Sequence, residues 1–256
     1  LAARRLANDG IPVNFTLGFS ARQNLVISRL ARPAFVNVFM GRLNSFVADN
    51  GYGDGNNVGE KATLASQRML RDQRDKHGVP SLQIGASIRS GQQCLDLAGL
   101  DVQTIPLKAA EQVVQGNVDP STVTDHTGED PLVTFGDGVD PLQAGLHGFW
   151  AIEPSLEAAL DALEDGRVDS WANAPDGGDQ LRSHLEAHGH RNIFPTLNET
   201  ERATISVDGK IPKADAWRSR VEAGTAGWDS LLTEAALAAF TADQTALDQR
   251  VSGLLG

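Results

Sequence analysis

Over the first 113 residues, short apolar runs alternate with longer amphipathic stretches, and this alternation limits the fold more than any other feature of the chain. It predicts helix 1–9, strand 11–19, helix 20–31, strand 34–40, helix 59–77, strand 80–87, helix 90–99, strand 102–106 and a helix from Leu107. Gly10, Gly78 and Gly99 stand where these helices should end, and glycine closes a last turn by entering the left-handed region. A Gly- and Asn-rich loop, DNGYGDGNNVG, leads into the 59–77 helix. Strands separated by helices of this length are joined as parallel βα units. A closed (β/α)₈ barrel takes eight strands in about 250 residues. Four are visible, so the chain holds either half of such a barrel or a small open sheet.

Beyond residue 113 the pattern changes. NVDPSTVTDHTGEDPLVTFGDGVDP reads as a long loop or crossing segment. EPSLEAALDALED, residues 153–165, predicts an amphipathic helix with Pro154 in its first turn, and 178–188 predicts another. The last stretch, from Trp228, predicts one or two amphipathic helices. The expected division is therefore 1–113, the βα units, and 114–256, an acidic and mainly helical extension. Charge follows the same line: the net −11 splits into +4 over 1–113 and −15 over 114–256. No basic stripe suits nucleic acid. No apolar run approaches the roughly 20 residues of a membrane span. The one cysteine, Cys94, excludes an intrachain disulfide and fits a packing role in a reducing cytosol.

The strands carry polar residues near their carboxyl ends. Side chains alternate faces along a strand. In VNFTLGFS, Asn14 and Thr16 share a face with Gly18; in AFVNVFMGR, Phe35, Asn37 and Phe39 share one, with Arg42 just beyond; in QIGASIR, Gln83, Gly85, Ser87 and Arg89 share one. Parallel α/β folds bind ligands at strand carboxyl ends. Two arginines and a serine there suit an oxyanion, because the guanidinium fork matches phosphate and stays charged. The competing reading is that Arg42 and Arg89 open loops and face water. His184 and His188, four apart with His190 nearby, have a spacing that zinc can use, but the protease pattern is absent and histidines suit a helix C-terminus. No metal site is expected. Trp150, Trp171, Trp217 and Trp228 are expected in the core.

VNFTLGFSARQ, FVNVFMGRL, IGASIRS and VQTIPL resemble the second half of the transaldolase barrel, whose strand motifs read roughly N-x-T-L-x-F-S, S-P-F-V-G-R and G-A-S-F-R. The tail LAAFTADQTALDQRVSGLL is similar, more loosely, to the family's C-terminal helix. The resemblance implies a cytoplasmic (β/α)₈ enzyme of the pentose phosphate pathway. Such an enzyme moves a dihydroxyacetone unit between sugar phosphates, of the fructose 6-phosphate and erythrose 4-phosphate type, through a lysine Schiff base and without metal or cofactor. By the same resemblance Asn14 and Thr16 match active-site residues, and Arg42, Ser87 and Arg89 match the phosphate-binding set. Phe39 matches an aromatic beside the Schiff base, and Asn37 stands where the family usually has serine. The Schiff-base lysine is expected upstream of Leu1, so the resemblance implies a missing N-terminal half, on this chain or another, or a homodimer. The Lys210-Ile-Pro segment resembles the family's lysine motif, but Lys210 and Lys213 lack an apolar strand before them and are expected to be exposed. The alternatives are a non-catalytic sugar-phosphate-binding subunit and a fructose-6-phosphate-type aldolase.

Overall fold

A computed structural model describes residues 1–255. Its centre is a four-stranded parallel sheet in the order β1 (Asn14–Phe15), β2 (Phe35–Phe39), β3 (Leu82–Ala86), β4 (Val102–Gln103). Each strand pairs in parallel with the next in sequence, as consecutive βα units commonly do. The intervening helices are α1 (Ala2–Asn8), α2 (Ala21–Ala31), α3 (Met40–Asp49), α4 (Val58–His77), α5 (Gly91–Asp96) and α6 (Leu107–Gln115). Among the described residues the sheet stays open, with β1 and β4 at its edges, so the chain by itself is an open α/β sheet rather than a closed barrel.

The order of elements agrees with the sequence reading, but several bounds differ. The expected strand 11–19 keeps only Asn14 and Phe15 in the ladder, because Leu17 turns left-handed at φ 64°. The expected helix 90–99 ends at Asp96. Helix α3 has no counterpart in the sequence pattern: Met40 comes directly after β2, so strand passes into helix without a loop. Ser20 and Ser90 cap α2 and α5, each accepting the N–H of the residue three on, Gln23 and Gln93. Helix α4 stops at Gly78, whose φ of 60° is left-handed, and the N–H of Gly78 bonds to the carbonyl of Arg74.

The remaining helices are α7 (Pro154–Asp161), α8 (Asp165–Asn173), α9 (Gly177–Ala187), α10 (Glu199–Asp208), α11 (Ala214–Glu222) and α12 (Trp228–Leu255). The segment expected as one helix over 153–165 is broken between Asp161 and Asp165. The stretch from Trp228 is one helix of 28 residues. Trp171, Trp217 and Trp228 are buried and Trp150 is partly so. One apolar cluster joins the βα units to the later segment: Phe46 of α3 meets Trp228 at 5.0 Å and Phe149 edge-on at 6.0 Å between ring centres.

Helix α12 is fastened across the end of β1. Asp229, 1% exposed at its side chain, accepts Arg22 Nε at 2.8 Å, Arg22 Nη2 at 2.7 Å and Ser20 Oγ at 2.6 Å. One turn on, Thr233 Oγ1 donates to the carbonyl of Leu17 at 3.0 Å. Burial works against the Arg22 charge, but the Asp229 carboxylate outweighs it and holds its pKa above the ordinary value. Removing one partner of such a pair strands the other charge in the interior. Asp229→Ala is expected to lower unfolding free energy by about 3–5 kcal/mol in urea denaturation, whereas replacing Arg22 and Asp229 together by Met and Leu costs less than the single change. Equal losses would show that the pair is not held as a buried unit.

Candidate functional site

Register decides which strand faces look the same way. Asn14 is level with Phe35 and Phe15 with Val36, which sets Thr16 level with Asn37; Asn37 is level with Ile84, and Phe39 with Ala86. Asn14, Thr16, Asn37 and Phe39 therefore share one face of the sheet. Gln83 is level with Val36 and belongs to the other face, against the helices. There it is fully buried and its Oε1 accepts Ser66 Oγ at 2.6 Å, while Asn24 Nδ2 donates to Ser66 Oγ at 2.9 Å. This corrects the expectation that Gln83 and Gly85 share the polar face of Ser87 and Arg89. Alternation fails at Ser87, whose φ of 64° ends the strand geometry and redirects the chain.

Two groups of side chains gather at the carboxyl ends. The first is an amide pair. Asn37, 4% exposed, donates through Nδ2 to Asn14 Oδ1 at 2.7 Å and to the Phe15 carbonyl at 3.2 Å. A backbone carbonyl can only accept, so the Asn37 amide has one orientation, and Asn14 must offer its oxygen. That leaves the Asn14 NH₂ and the Asn37 oxygen for other partners. Asn14 and Thr16 are exposed.

The second group surrounds the N-terminus of α3. Its N-cap residue, Phe39, supplies no side-chain acceptor, so the first N–H groups of the helix lack an internal partner. Arg42 lies in this first turn rather than in a loop. Its guanidinium lies over the ring of Phe39, 5.8 Å from the centre, and over that of Phe240 of α12, 5.6 Å from the centre. Arg42 Nη1 is buried without a hydrogen-bond partner. Burial, with the like charge of Arg89, pushes the Arg42 pKa down, and Asp243 opposes the shift. Arg89 Nη1 donates to Ser45 Oγ at 3.1 Å. A Cβ at Gly41 would strike Arg89 Nε and stand 2.8 Å from the carbonyl of Ser87, so the absence of a side chain there lets the Ser87–Arg89 turn lie against α3.

Two like charges, an unpartnered guanidinium nitrogen and an open helix N-terminus are chemically suited to an oxyanion. The amide pair beside it can exchange hydrogen bonds with hydroxyls. Sequence reasoning placed Asn14, Thr16, Asn37, Phe39, Arg42, Ser87 and Arg89 at the strand ends; it missed Phe240, Asn44, Glu60 and Gln93. Phe240 is distant in sequence and Glu60 sits inside an ordinary helical pattern, so no local signal marks either one.

Other candidates have local explanations. His184 Nε2 faces the Ala159 carbonyl at 2.9 Å and His188 Nδ1 faces the His184 carbonyl at 2.8 Å. No group of three metal-ligating side chains occurs among the described residues. Cys94 is buried, and burial raises its thiol pKa. Lys61 meets Asp130 at 2.5 Å, and Lys210 and Lys213 are exposed between α10 and α11, the latter as the α11 N-cap. No helix among the described residues is long and apolar enough to cross a membrane. A cavity of about 730 Å³, lined by neither Arg42 nor Arg89, lies between α1, Phe15, α8, α9 and α12.

Residues 1–137 match the model of a family described as Transaldolase/Fructose-6-phosphate aldolase. The chain is 35% identical over 116 residues to a probable transaldolase of Desulfotalea psychrophila, covering 44% of this chain and 48% of that protein. It is 33% identical over 116 residues to probable transaldolase 1 of Listeria monocytogenes serotype 4b, with the same shares of each chain. A probable transaldolase of Dictyostelium discoideum is 31% identical over 123 residues, which is 48% of this chain and 37% of that protein. The chain thus spans about half the length, or less, of the curated relatives it matches. The family match ends before α7, so the similarity of the tail to a family C-terminal helix stands outside it.

Gly41 gives a direct test of the arginine geometry. Alanine is a better helix former than glycine, by about 1 kcal/mol, but a Cβ at 41 also stands 2.8 Å from the Ser87 carbonyl, so Gly41→Ala moves the Ser87–Arg89 turn as well as the guanidinium. It is expected to displace Arg89 and raise the dissociation constant for inorganic phosphate roughly tenfold, about 1.4 kcal/mol. Unchanged phosphate affinity in titration calorimetry would show that Arg89 does not act from that position.

Proposed function

The chain belongs to the transaldolase and fructose-6-phosphate aldolase family, and from that premise we propose that its strand-end site binds sugar phosphates for transfer of a dihydroxyacetone unit. The observation that carries the reading is the buried, unpartnered Nη1 of Arg42 beside Arg89 at the open N-terminus of α3. In this reading the phosphate group binds Arg42, Ser87 and Arg89. The sugar hydroxyls meet the Asn14–Asn37 amide pair, and Thr16, on the same face, serves proton transfer through a water. Phe39 lies between the two groups and limits water near the reacting carbon.

Such a transfer in this family would pass through a lysine Schiff base, belong to the pentose phosphate pathway in the cytoplasm and use no metal or cofactor. A Schiff base needs an unprotonated amine, obtained by desolvation or by nearby positive charge. Lys61, Lys210 and Lys213 are placed elsewhere in the structure, as an ion pair and in an exposed turn, so the amine step is assigned to none of them. What this chain would contribute is the phosphate and hydroxyl recognition. Simple aldol cleavage is the neighbouring reading, since the family description includes both reactions; the relatives named as transaldolases favour transfer. Products with and without an acceptor aldehyde distinguish the two.

Arg89→Ala is expected to weaken phosphate-ester ligands by about 1.5–3 kcal/mol, the range of a charge-assisted hydrogen bond, and to leave dihydroxyacetone nearly unchanged. Competition binding of fructose 6-phosphate and dihydroxyacetone measures both. Equal losses would remove the phosphate assignment.

A further inference from the structure

Beneath Arg89 lies a carboxylate with unusual company. Glu60, in the first turn of α4, is 6% exposed and is met by no cation among the described residues. Two amides hold it instead. Gln93 Nε2 donates to Glu60 Oε1 at 2.5 Å and Asn44 Nδ2 donates to Glu60 Oε2 at 3.1 Å. Each amide uses its oxygen on a backbone N–H: Gln93 Oε1 accepts the Arg89 N–H, and Asn44 Oδ1 accepts the Gly59 N–H, both at 2.7 Å. These residues border an open polar cavity of about 470 Å³ that Arg89 also lines.

An ionised carboxylate only accepts hydrogen bonds, whereas an amide can turn either way. Glu60 therefore forces the NH₂ ends of Gln93 and Asn44 toward itself, and their oxygens must face outward. If Gln93 turned over, its NH₂ would oppose the Arg89 N–H and the bond would be lost. The same Gln93 donates its own N–H to Ser90 Oγ, closing the turn that starts at Ser87. The N-terminal turn of α4, in which Glu60 stands, favours a negative charge there. A buried, ionised side chain without an ion pair is costly, and a polar network of this kind repays that cost only when every member is satisfied.

We propose that Glu60 is a positioning residue for the anion site: by orienting the Gln93 amide it fixes the Ser87–Ser90 turn and thereby the presentation of Ser87 and Arg89. The proposal rests on the phosphate reading for its functional consequence and on the hydrogen-bond network for its structural one.

The test compares wild type, Glu60→Gln and the exchanged pair Glu60→Gln with Gln93→Glu. Glutamine at 60 places an NH₂ where an acceptor is required, so the single variant must turn over one amide. In the exchanged pair, the carboxylate at 93 accepts both the Arg89 N–H and the new NH₂ at 60, and the amide oxygen at 60 accepts Asn44, so complementarity returns. Two quantities are read on each protein: the dissociation constant for inorganic phosphate, and hydrogen-exchange protection of the Arg89 amide without ligand. Glu60→Gln is expected to weaken phosphate about tenfold and to lower Arg89 protection at least tenfold, and the exchanged pair is expected to regain most of both. Thermal unfolding of all three is monitored, because a loss that tracks global stability and is not regained by the exchange means an ordinary structural role and overturns the proposal. Unchanged Arg89 protection in Glu60→Gln overturns it as well. If wild type itself fails to bind phosphate, the phosphate reading falls, and the exchange data alone still decide whether Glu60 orients the turn.

Discussion

The parallel pairing of β2 with β3 is the constraint on which the site depends. Five consecutive pairs, from Phe35 with Leu82 to Phe39 with Ala86, bring both strands to the same edge of the sheet in step. The segments that leave the two strands are then set side by side: the first turn of α3 with Arg42, and the left-handed turn at Ser87 leading to Arg89. Parallel strands cannot be joined by a tight hairpin, so this edge is furnished with helix starts. Helix N-termini supply N–H groups, and arginines near them complete a cationic recess. The pairing of β1 with β2 extends the same edge to the Asn14–Asn37 amides.

Two close approaches keep that edge compact. At Gly41 the chain has no side chain where Arg89 packs, and at Gly18 a Cβ would run into the carbonyl of Asn37. Over this edge passes α12, fastened at its start by Asp229 to Ser20 and Arg22. Twelve residues after Trp228, the same helix sets Phe240 against Arg42. A buried ion pair at one end of a helix thus helps shape a cationic site three turns away, since a helix transmits position rigidly along its axis. The arginine's lowered pKa is the electrostatic record of that enclosure, with burial the leading cause and Arg89 the second.

Polar groups on the two sides of the sheet have different work. On the helix side, Asn24 Nδ2, Ser66 and Gln83 hydrogen-bond one another in a fully buried cluster between α2, α4 and β3, with Asn24 Oδ1 left without a partner. On the open side, Asn14, Asn37 and Arg42 each keep polar capacity that the protein does not use. The helix-side network holds elements together, and the free polar capacity on the open side suits a ligand. Glu60 belongs to both kinds, since its own valences are filled while the amides it orients reach the turn that carries Arg89.

The sequence by itself determined the order of strands and helices over 1–113 apart from α3, the glycine stop at 78 and the choice of polar residues near strand ends, because these are written in short-range periodicity and local backbone preference. It also determined that α12 has an apolar start, though not that it runs unbroken to Leu255. Only the tertiary structure decided which of the two alternating faces of β3 looks outward. Alternation sorts residues into two sets but does not say which set meets the helices; register with β2 does, and it sent Gln83 inward. Tertiary packing also put Phe240 on Arg42 and Glu60 on Gln93, contacts between residues nearly 200 and 33 positions apart whose partners no local pattern can name.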